Sequence, residues 1–242
     1  MSVQPLQIKV NLNCQDDWFR HKILSCFAVF KGCEEYNKTG VHQIATYLGD
    51  NLVKLWCDGT KTILQKRQYT NANDETYFEK SWEEYKMGFE TGSRSNIWMG
   101  LDIAHQLTTS YNYNILDVTI NDNDSFSRSA FSIGPESNGY AIEYGDKALK
   151  FSAGTVDNDN LVNEACMNLH SGGWWYDDCG DMNLNGRLNP NGPLTEKDAF
   201  YNNADNVTVK VESSIITLSK QIDCSEGHFF LDGQCKGKLF LY

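Results

Sequence analysis

The stretch "DNDNLVNEACMNLHSGGWWYDDCGDMNLNG", residues 157–186, decides how the rest of the chain is read. It opens with Asp157 and Asp159, two positions apart and surrounded by asparagines. Carboxylates and backbone carbonyls are hard oxygen donors, and such a set suits Ca2+, which accepts about six to eight oxygens including water. The run lacks the glycine and terminal glutamate of an EF-hand loop, so an Asx-rich turn with solvated acids reads it equally well. Cys166 and Cys179 follow, thirteen positions apart. A bridge between them would contribute about 3 kcal/mol in the chain-entropy model and hold the acids beside Trp174, Trp175 and Tyr176. Gly172 and Gly173 permit backbone angles that other residues avoid. Adjacent tryptophans on extended chain point to opposite sides, so one of the pair is expected in the core and the other is free to meet a ligand.

Composition bounds what that stretch serves. The 242 residues, 40% hydrophobic and 12% aromatic, suffice for one large domain or two small ones. A formal net charge of −11 argues against nucleic acid or an anionic membrane surface as partner. No apolar run reaches the roughly 18 residues of a membrane span. Eight cysteines without a C-x-x-C pair favour disulfides over a zinc ribbon or redox site. Asn37, Asn123 and Asn206 begin N-x-S/T sequons, which are glycan acceptors if the chain is secreted. "RHKILSCFAVFKG", residues 20–32, has a basic start and an apolar stretch but no cleavage-site pattern, so it reads as a buried element rather than a signal peptide.

Along the chain, Ile8, Val10 and Leu12 alternate as one strand in an amino-terminal extension, residues 1–32. A short helical "EEYNK" precedes strands at "TGVHQIATYL" and "NLVKLWCDG", where a Cys33–Cys57 bridge would staple neighbouring segments. "YFEKSWEEYKMGF" spaces Phe78, Trp82, Tyr85 and Phe89 at helical steps and predicts one amphipathic helix. Strand-like stretches recur at "NILDVTI", "SAFSIG", "GYAIEYG" and "NVTVKVESSIITL", so the class is α+β with more strand than helix. No repeat or heptad run is present. Cys224 and Cys235 mark a small stapled tail, residues 223–242.

The 157–186 stretch resembles the fibrinogen C-terminal domain family. That family's signature is a D-N-D calcium loop, a cysteine, G-x-W-W, a second cysteine and N-L-N-G. "YFEKSWEEYKMGFE" with "IWMGLDIAHQLT" resembles its W-x-x-Y-x-x-G-F, W-L-G and I-H-x-L-T elements, and "GCEEYNKTGVHQI…LWCDG" its amino-terminal disulfide segment. The resemblance covers about residues 30 to 222. It implies a domain over 33–222 with an amino-terminal subdomain, a mixed central sheet with short helices, and a loop-rich, disulfide-stapled subdomain for calcium and ligand.

On that resemblance Ca2+ is the expected cofactor, held by the Asp157 and Asp159 side chains and the carbonyls of Leu161 and Asn163. The recognition pocket falls at Trp175, Tyr176, Asp178, Cys179 and Gly180, with the Asp178–Cys179 peptide at a bond that family members often hold cis. The family pattern predicts the bridges Cys33–Cys57 and Cys166–Cys179. Cys14–Cys26 and Cys224–Cys235 follow only from proximity, the alternative being cross-links between the chain ends.

Three departures bear on function. Gly180 stands where lectin-like members carry histidine, as it does in signalling members. "EKDAFYNNADNVTVKV" replaces the late W-x-x-W element, and "GTKTILQKR" follows Cys57 without the usual G-W. Catalytic readings find no support: His21, His42, His105, His170 and His228 are scattered, neither H-E-x-x-H nor G-x-S-x-G occurs, and Glu83–Glu84 fits a solvated helix face. The expectation is a secreted, non-enzymatic domain binding a protein receptor or matrix partner with calcium support. The alternative is a calcium-dependent lectin for acetylated glycans in innate defence. By itself the chain is expected to be monomeric or weakly associated, since relatives multimerise through upstream collagen-like or coiled-coil segments and this sequence holds neither a G-X-Y repeat nor a heptad run.

Overall fold

A computed structural model describes residues 29–36, 38–91, 93–144, 146–161, 164–177, 179–220, 228–231 and 234–238. The helices are α1 (Cys33–Tyr36), α2 (Trp82–Met87), α3 (Leu101–Ser110) and α4 (Cys166–Leu169). The strands are β1 (Lys38–Leu48), β2 (Asn51–Gly59), β3 (Lys61–Gln68), β4 (Phe89–Glu90), β5 (Ile97–Trp98), β6 (Ile115–Ile120) and β7 (Asp124–Arg128). They continue as β8 (Ile142–Tyr144), β9 (Lys147–Leu149), β10 (Phe151–Ser152), β11 (Trp174–Trp175) and β12 (Met182–Asn183). The last are β13 (Phe200–Asn202), β14 (Thr208–Lys210), β15 (Ser213–Ser219), β16 (His228–Leu231) and β17 (Gln234–Lys238). Strand outweighs helix, and the α+β class holds.

The chain divides into two compact units, Met1–Ile63 and Leu64–Tyr242. In the first, β1 and β2 form an antiparallel hairpin from Leu48↔Asn51 back to Val41↔Asp58, and the start of β3 pairs with β2 at Cys57↔Thr62. Gly49, at φ 60°, takes the left-handed geometry of the tight turn. A Cys33–Cys57 disulfide, Cα–Cα 5.4 Å, fastens α1 to β2, and the Thr62 hydroxyl donates to its Cys33 sulfur at 3.2 Å. Cys14, Cys26 and Cys224 lie outside the described residues, as does the expected strand at Ile8–Leu12. Cys235 is described only as backbone, in the β16–β17 hairpin.

In the second unit the end of β3 runs beside β15, then β6, then β7. β5 pairs with β3 and β4. β6 and β7 close a hairpin at Ile120↔Asp124. "SAFSIG" is not a strand: it makes only an isolated bridge, Ile133↔Ile142.

The helix expected over residues 77–89 is confined to α2. Ser81 starts it with a capping box, its hydroxyl accepting the Glu84 N–H while Glu84 reaches back, and Gly88 at φ 91° ends it. Gly88 has no alternative, because a Cβ there would stand 2.5 Å from the Met99 carbonyl oxygen. Phe78 and Phe89 still meet the helix's Tyr85, in a turn and a strand respectively. Centroid spacings are 4.9 Å for Phe78–Phe89, 5.2 Å for Tyr85–Phe89, 5.3 Å for Tyr85–Trp98 and 4.9 Å for Phe151–Trp175. This continuous aromatic cluster is the floor beneath the 157–186 stretch.

Candidate recognition site

Two residue pairs anchor the stretch to its floor: β10 and β11 pair as Phe151↔Trp175 and Ser152↔Trp174. Both tryptophans are buried, which corrects the expectation that one would face outward. The reason lies in β11's position. Trp175 turns onto Phe151 and donates its indole N–H to the Tyr140 carbonyl at 2.8 Å, while Trp174 packs edge-on to it at 5.6 Å. Gly172 permits the approach: at φ 78°, a Cβ there would sit 2.0 Å from the Asn185 carbonyl oxygen.

The "NLNG" run acts as a latch on this loop. Asn183 donates to the Ser171 carbonyl at 2.8 Å and to the Tyr176 hydroxyl at 3.0 Å. That hydroxyl donates to the Gly172 carbonyl at 2.8 Å, and Asn185 donates to the Gly173 carbonyl at 2.8 Å. Burial, with the nearby Tyr85 and Asp159 adding to it, pushes the Tyr176 phenol well above its ordinary value. Tyr176 is therefore an internal strut whose ring also borders the cavity. His170 stacks on it at 5.7 Å, with Nδ1 2.6 Å from the Glu196 carbonyl oxygen and Nε2 2.6 Å from that of Cys179. Sequence reasoning missed His170, Asn183 and Asn185. The asparagines were visible in the motif, whereas nothing in the sequence distinguishes His170 from a surface histidine.

The Cys166–Cys179 disulfide, Cα–Cα 5.2 Å, closes the loop. Ahead of it, Asn158 is pinned: its N–H donates to Ser152 Oγ at 2.9 Å and its side-chain amide to the Phe151 carbonyl at 2.8 Å. Asp157 and Asp159 therefore emerge on either side of a fixed residue. Asp159 accepts the Leu161 N–H at 2.9 Å and the Cys166 N–H at 2.6 Å, and Asp157 accepts the Asp159 N–H at 3.2 Å. Desolvation first, then its interaction with the Asp159 carboxyl, raises the Asp157 carboxyl above the usual range. Two mutually repelling carboxylates are what a cation relieves. Among the described residues no group of three or more His, Cys, Asp or Glu could hold a metal, so a cation would take these two carboxylates, carbonyls and water. That hard-oxygen set fits Ca2+ rather than a transition metal. Leu161 is placed beside them, while Asn163 and Asp178, with the Asp178–Cys179 peptide, lie outside the described residues.

On the far side of the bridge opens a cavity of about 740 Å³. Its walls include Val118, Phe131, Leu149, Trp174, Trp175 and Met182; Cys179 and the exposed Gly180 belong to its border. Asp124, Asp177, Asp181 and Arg128 supply its charges. Asp177 pairs with Lys147 at 2.5 Å. The Tyr201 hydroxyl donates to Asp124, and that bond, followed by burial, pushes the phenol up to about 12.

Bridge, latch and cavity define a class: a disulfide-stapled α+β domain whose loop-built region carries a recessed, mostly apolar cavity with a charged border. The family model for the C-terminal globular domain of fibrinogen beta and gamma chains matches residues 31–146 and 141–202, and the chain belongs to that family. It is 32% identical over 185 residues to mouse angiopoietin-4, covering 65% of this chain and 35% of the relative. It is 30% identical over 196 residues to human angiopoietin-2, covering 71% and 37%. The chain thus spans little more than a third of the length of these curated relatives. The fibrinogen-like globe domain of human ANGPTL6 has the same fold, with TM-score 0.66 and 23% identity over 80% of this chain and 96% of that one. Lamprey fibrin D-dimer, solved with the peptide Gly-His-Arg-Pro-amide, superposes with TM-score 0.59 and 18% identity over 85% and 79%.

Proposed function

We propose that this chain is an extracellular, non-enzymatic recognition domain that binds a protein partner, a receptor or matrix component, with Ca2+ supporting the Asp157–Asp159 loop. The observation that carries this reading is the cavity, with Gly180 at its border and tryptophans in its wall. Apolar walls receive an apolar side chain, and with Asp177 already paired to Lys147 the acids Asp124 and Asp181 against Arg128 still favour a partner that also presents a basic group. Gly180 places no imidazole there, as in signalling members of the family. Two disulfides among the described residues suit an oxidising compartment.

The residues divide the work. The Cys166–Cys179 bridge and the Asn183–Asn185 latch hold the loop, and the two tryptophans shape the cavity wall. Ca2+, when bound, neutralises the two loop carboxylates. Asp157 and Asp159 would hold it, with the Leu161 and Asn163 carbonyls.

Purified protein is applied to cell surfaces pretreated with protease or with glycosidases, with Ca2+ or chelator. Binding lost on protease treatment alone supports the proposal. Binding lost on glycosidase treatment, or released by N-acetylglucosamine, transfers the domain to the lectin reading.

A further inference from the structure

Two of the sequons fall on two hairpins that are tied together at the cavity. Asn206 lies in the turn between β13 and β14, exposed, with φ 58°. The Asn203 side chain holds that turn, accepting the Asp205 N–H at 3.1 Å and the Val207 N–H at 2.9 Å, so it needs nothing from the Asn206 amide. Asn123 lies exposed in the β6–β7 turn. The Tyr201 hydroxyl donates across to Asp124, and Asn121 donates to the Lys210 carbonyl at 2.9 Å, so the hairpins share one edge. Asn206, Asn203 and Ala204 from one hairpin and Asp124 and Ser125 from the other line the cavity. An exposed residue that also lines a cavity stands at its mouth.

We propose that Asn206 and Asn123 carry N-linked glycans and that the glycan on Asn206 shelters the mouth of the cavity. In each case the side-chain nitrogen forms a bond to the anomeric carbon of a lipid-linked oligosaccharide, loses one proton, and displaces the lipid pyrophosphate. Both turns present the acceptor asparagine on exposed chain, and the rest of each triplet, Asp124–Ser125 at the start of β7 and Val207–Thr208 leading into β14, is exposed as well. A glycan at Asn206 restricts entry to the cavity past the β13–β14 hairpin, where Asn203, Ala204 and Asn206 line it. The inference rests on the extracellular reading above.

The test is expression of the full chain through the secretory pathway of cultured animal cells, followed by peptide mapping before and after peptide N-glycosidase. The expected result is secreted, disulfide-bonded protein in which Asn206 and Asn123 become aspartate on enzyme treatment. Asn206→Gln and Thr208→Ala should each remove one glycan; the second keeps the Asn206 side chain but gives up the Thr208 hydroxyl's bond to Asn202 at 2.8 Å, so enzyme removal of the glycan from the wild type is the reference for both. Nile red, a neutral apolar dye, should bind several-fold more tightly once the Asn206 glycan is gone, by enzyme or by either variant. Secreted and bridged protein with a bare Asn206 overturns the site while leaving the extracellular reading intact. Dye affinity unchanged on deglycosylation overturns the shelter. Retention of reduced chain inside the cells overturns the extracellular reading and this inference with it.

Discussion

The Tyr85 hydroxyl accepts the Gly173 N–H at 2.8 Å and donates to the Phe78 carbonyl at 2.7 Å, so one buried phenol joins α2 to the chain just before the tryptophan pair. Burial raises that phenol far above its ordinary value, so it keeps its proton and its donor role. Tyr85→Phe leaves the Gly173 N–H unpaired beneath the loop. The expected cost is about 1–3 kcal/mol, measured by denaturant unfolding.

Gly173→Ala strikes the same junction sterically. A Cβ would stand 2.7 Å from the Ala153 Cβ and 2.8 Å from the rings of Phe151 and Tyr85. None of these can retreat from the aromatic cluster without opening it. The variant should lose about 1–3 kcal/mol and show altered tryptophan fluorescence, since Trp175 rests on Phe151.

These contacts show what the sequence made legible. The two bridges, the G-x-W-W turn and N-L-N-G were readable through the family resemblance, whose motifs keep their residue types and order along the chain. The length of α2 was not readable from periodicity, because Phe78 and Phe89 keep helical spacing while lying outside the helix. Capping residues decided the ends, and Ser81 and Gly88 were present in the sequence to be weighed. The burial of both tryptophans was hidden for another reason. It depends on the cavity wall and on Phe151, which pairs with Trp175 from 24 positions earlier in the chain. The cavity itself combines β6, β7, β11 and β13, and no local pattern announces such a convergence.

Arg67 tests how the second unit tolerates a buried charge. It is fully buried on β3, with its guanidinium 4.2 Å over the Phe78 ring and Nη1 donating to the Gly186 carbonyl at 2.5 Å. Its Nη2 has no hydrogen-bond partner among the described residues. Desolvation lowers its pKa to about 10, with Tyr85 and Asp74 opposing. Lysine keeps the charge but cannot reproduce the planar fork, so Arg67→Lys should cost about 3 kcal/mol or more. Arg67→Met removes the charge and should cost less. Paired thermal melts decide the order.

Asp74 sets an acid limit on stability. Burial by itself would raise its carboxyl, but donors from Thr70, Asn71 and Asn96 outweigh it and hold the group below its ordinary value. Asn96 donates at 2.7 Å and accepts from Arg67 at 3.4 Å, so the acid also faces the buried cation through one amide. An acid depressed in the fold contributes stability above its unfolded value, near about pH 4. That contribution disappears as pH falls through the lower folded value. Asp74→Asn should therefore be less stable than wild type at neutral pH, with the gap closing below about pH 4. Unfolding midpoints across pH give the comparison.

Calcium is tested most directly on the apo and loaded forms of one preparation. With the two carboxylates flanking a pinned Asn158, Ca2+ should bind the folded loop and not the unfolded chain. A ligand selective for the fold stabilises it by about 2.7 kcal/mol at a hundred times its dissociation constant. The melting temperature should therefore rise with Ca2+ and return with chelator. Asp157→Asn and Asp159→Asn should abolish the rise. Their baselines should differ. Asp157→Asn relieves repulsion and leaves the apo protein near wild-type stability. Asp159→Asn disturbs the oxygens that accept the Leu161 and Cys166 N–H groups and lowers it. Melting that ignores Ca2+ in the wild type would leave the pair as an Asx turn.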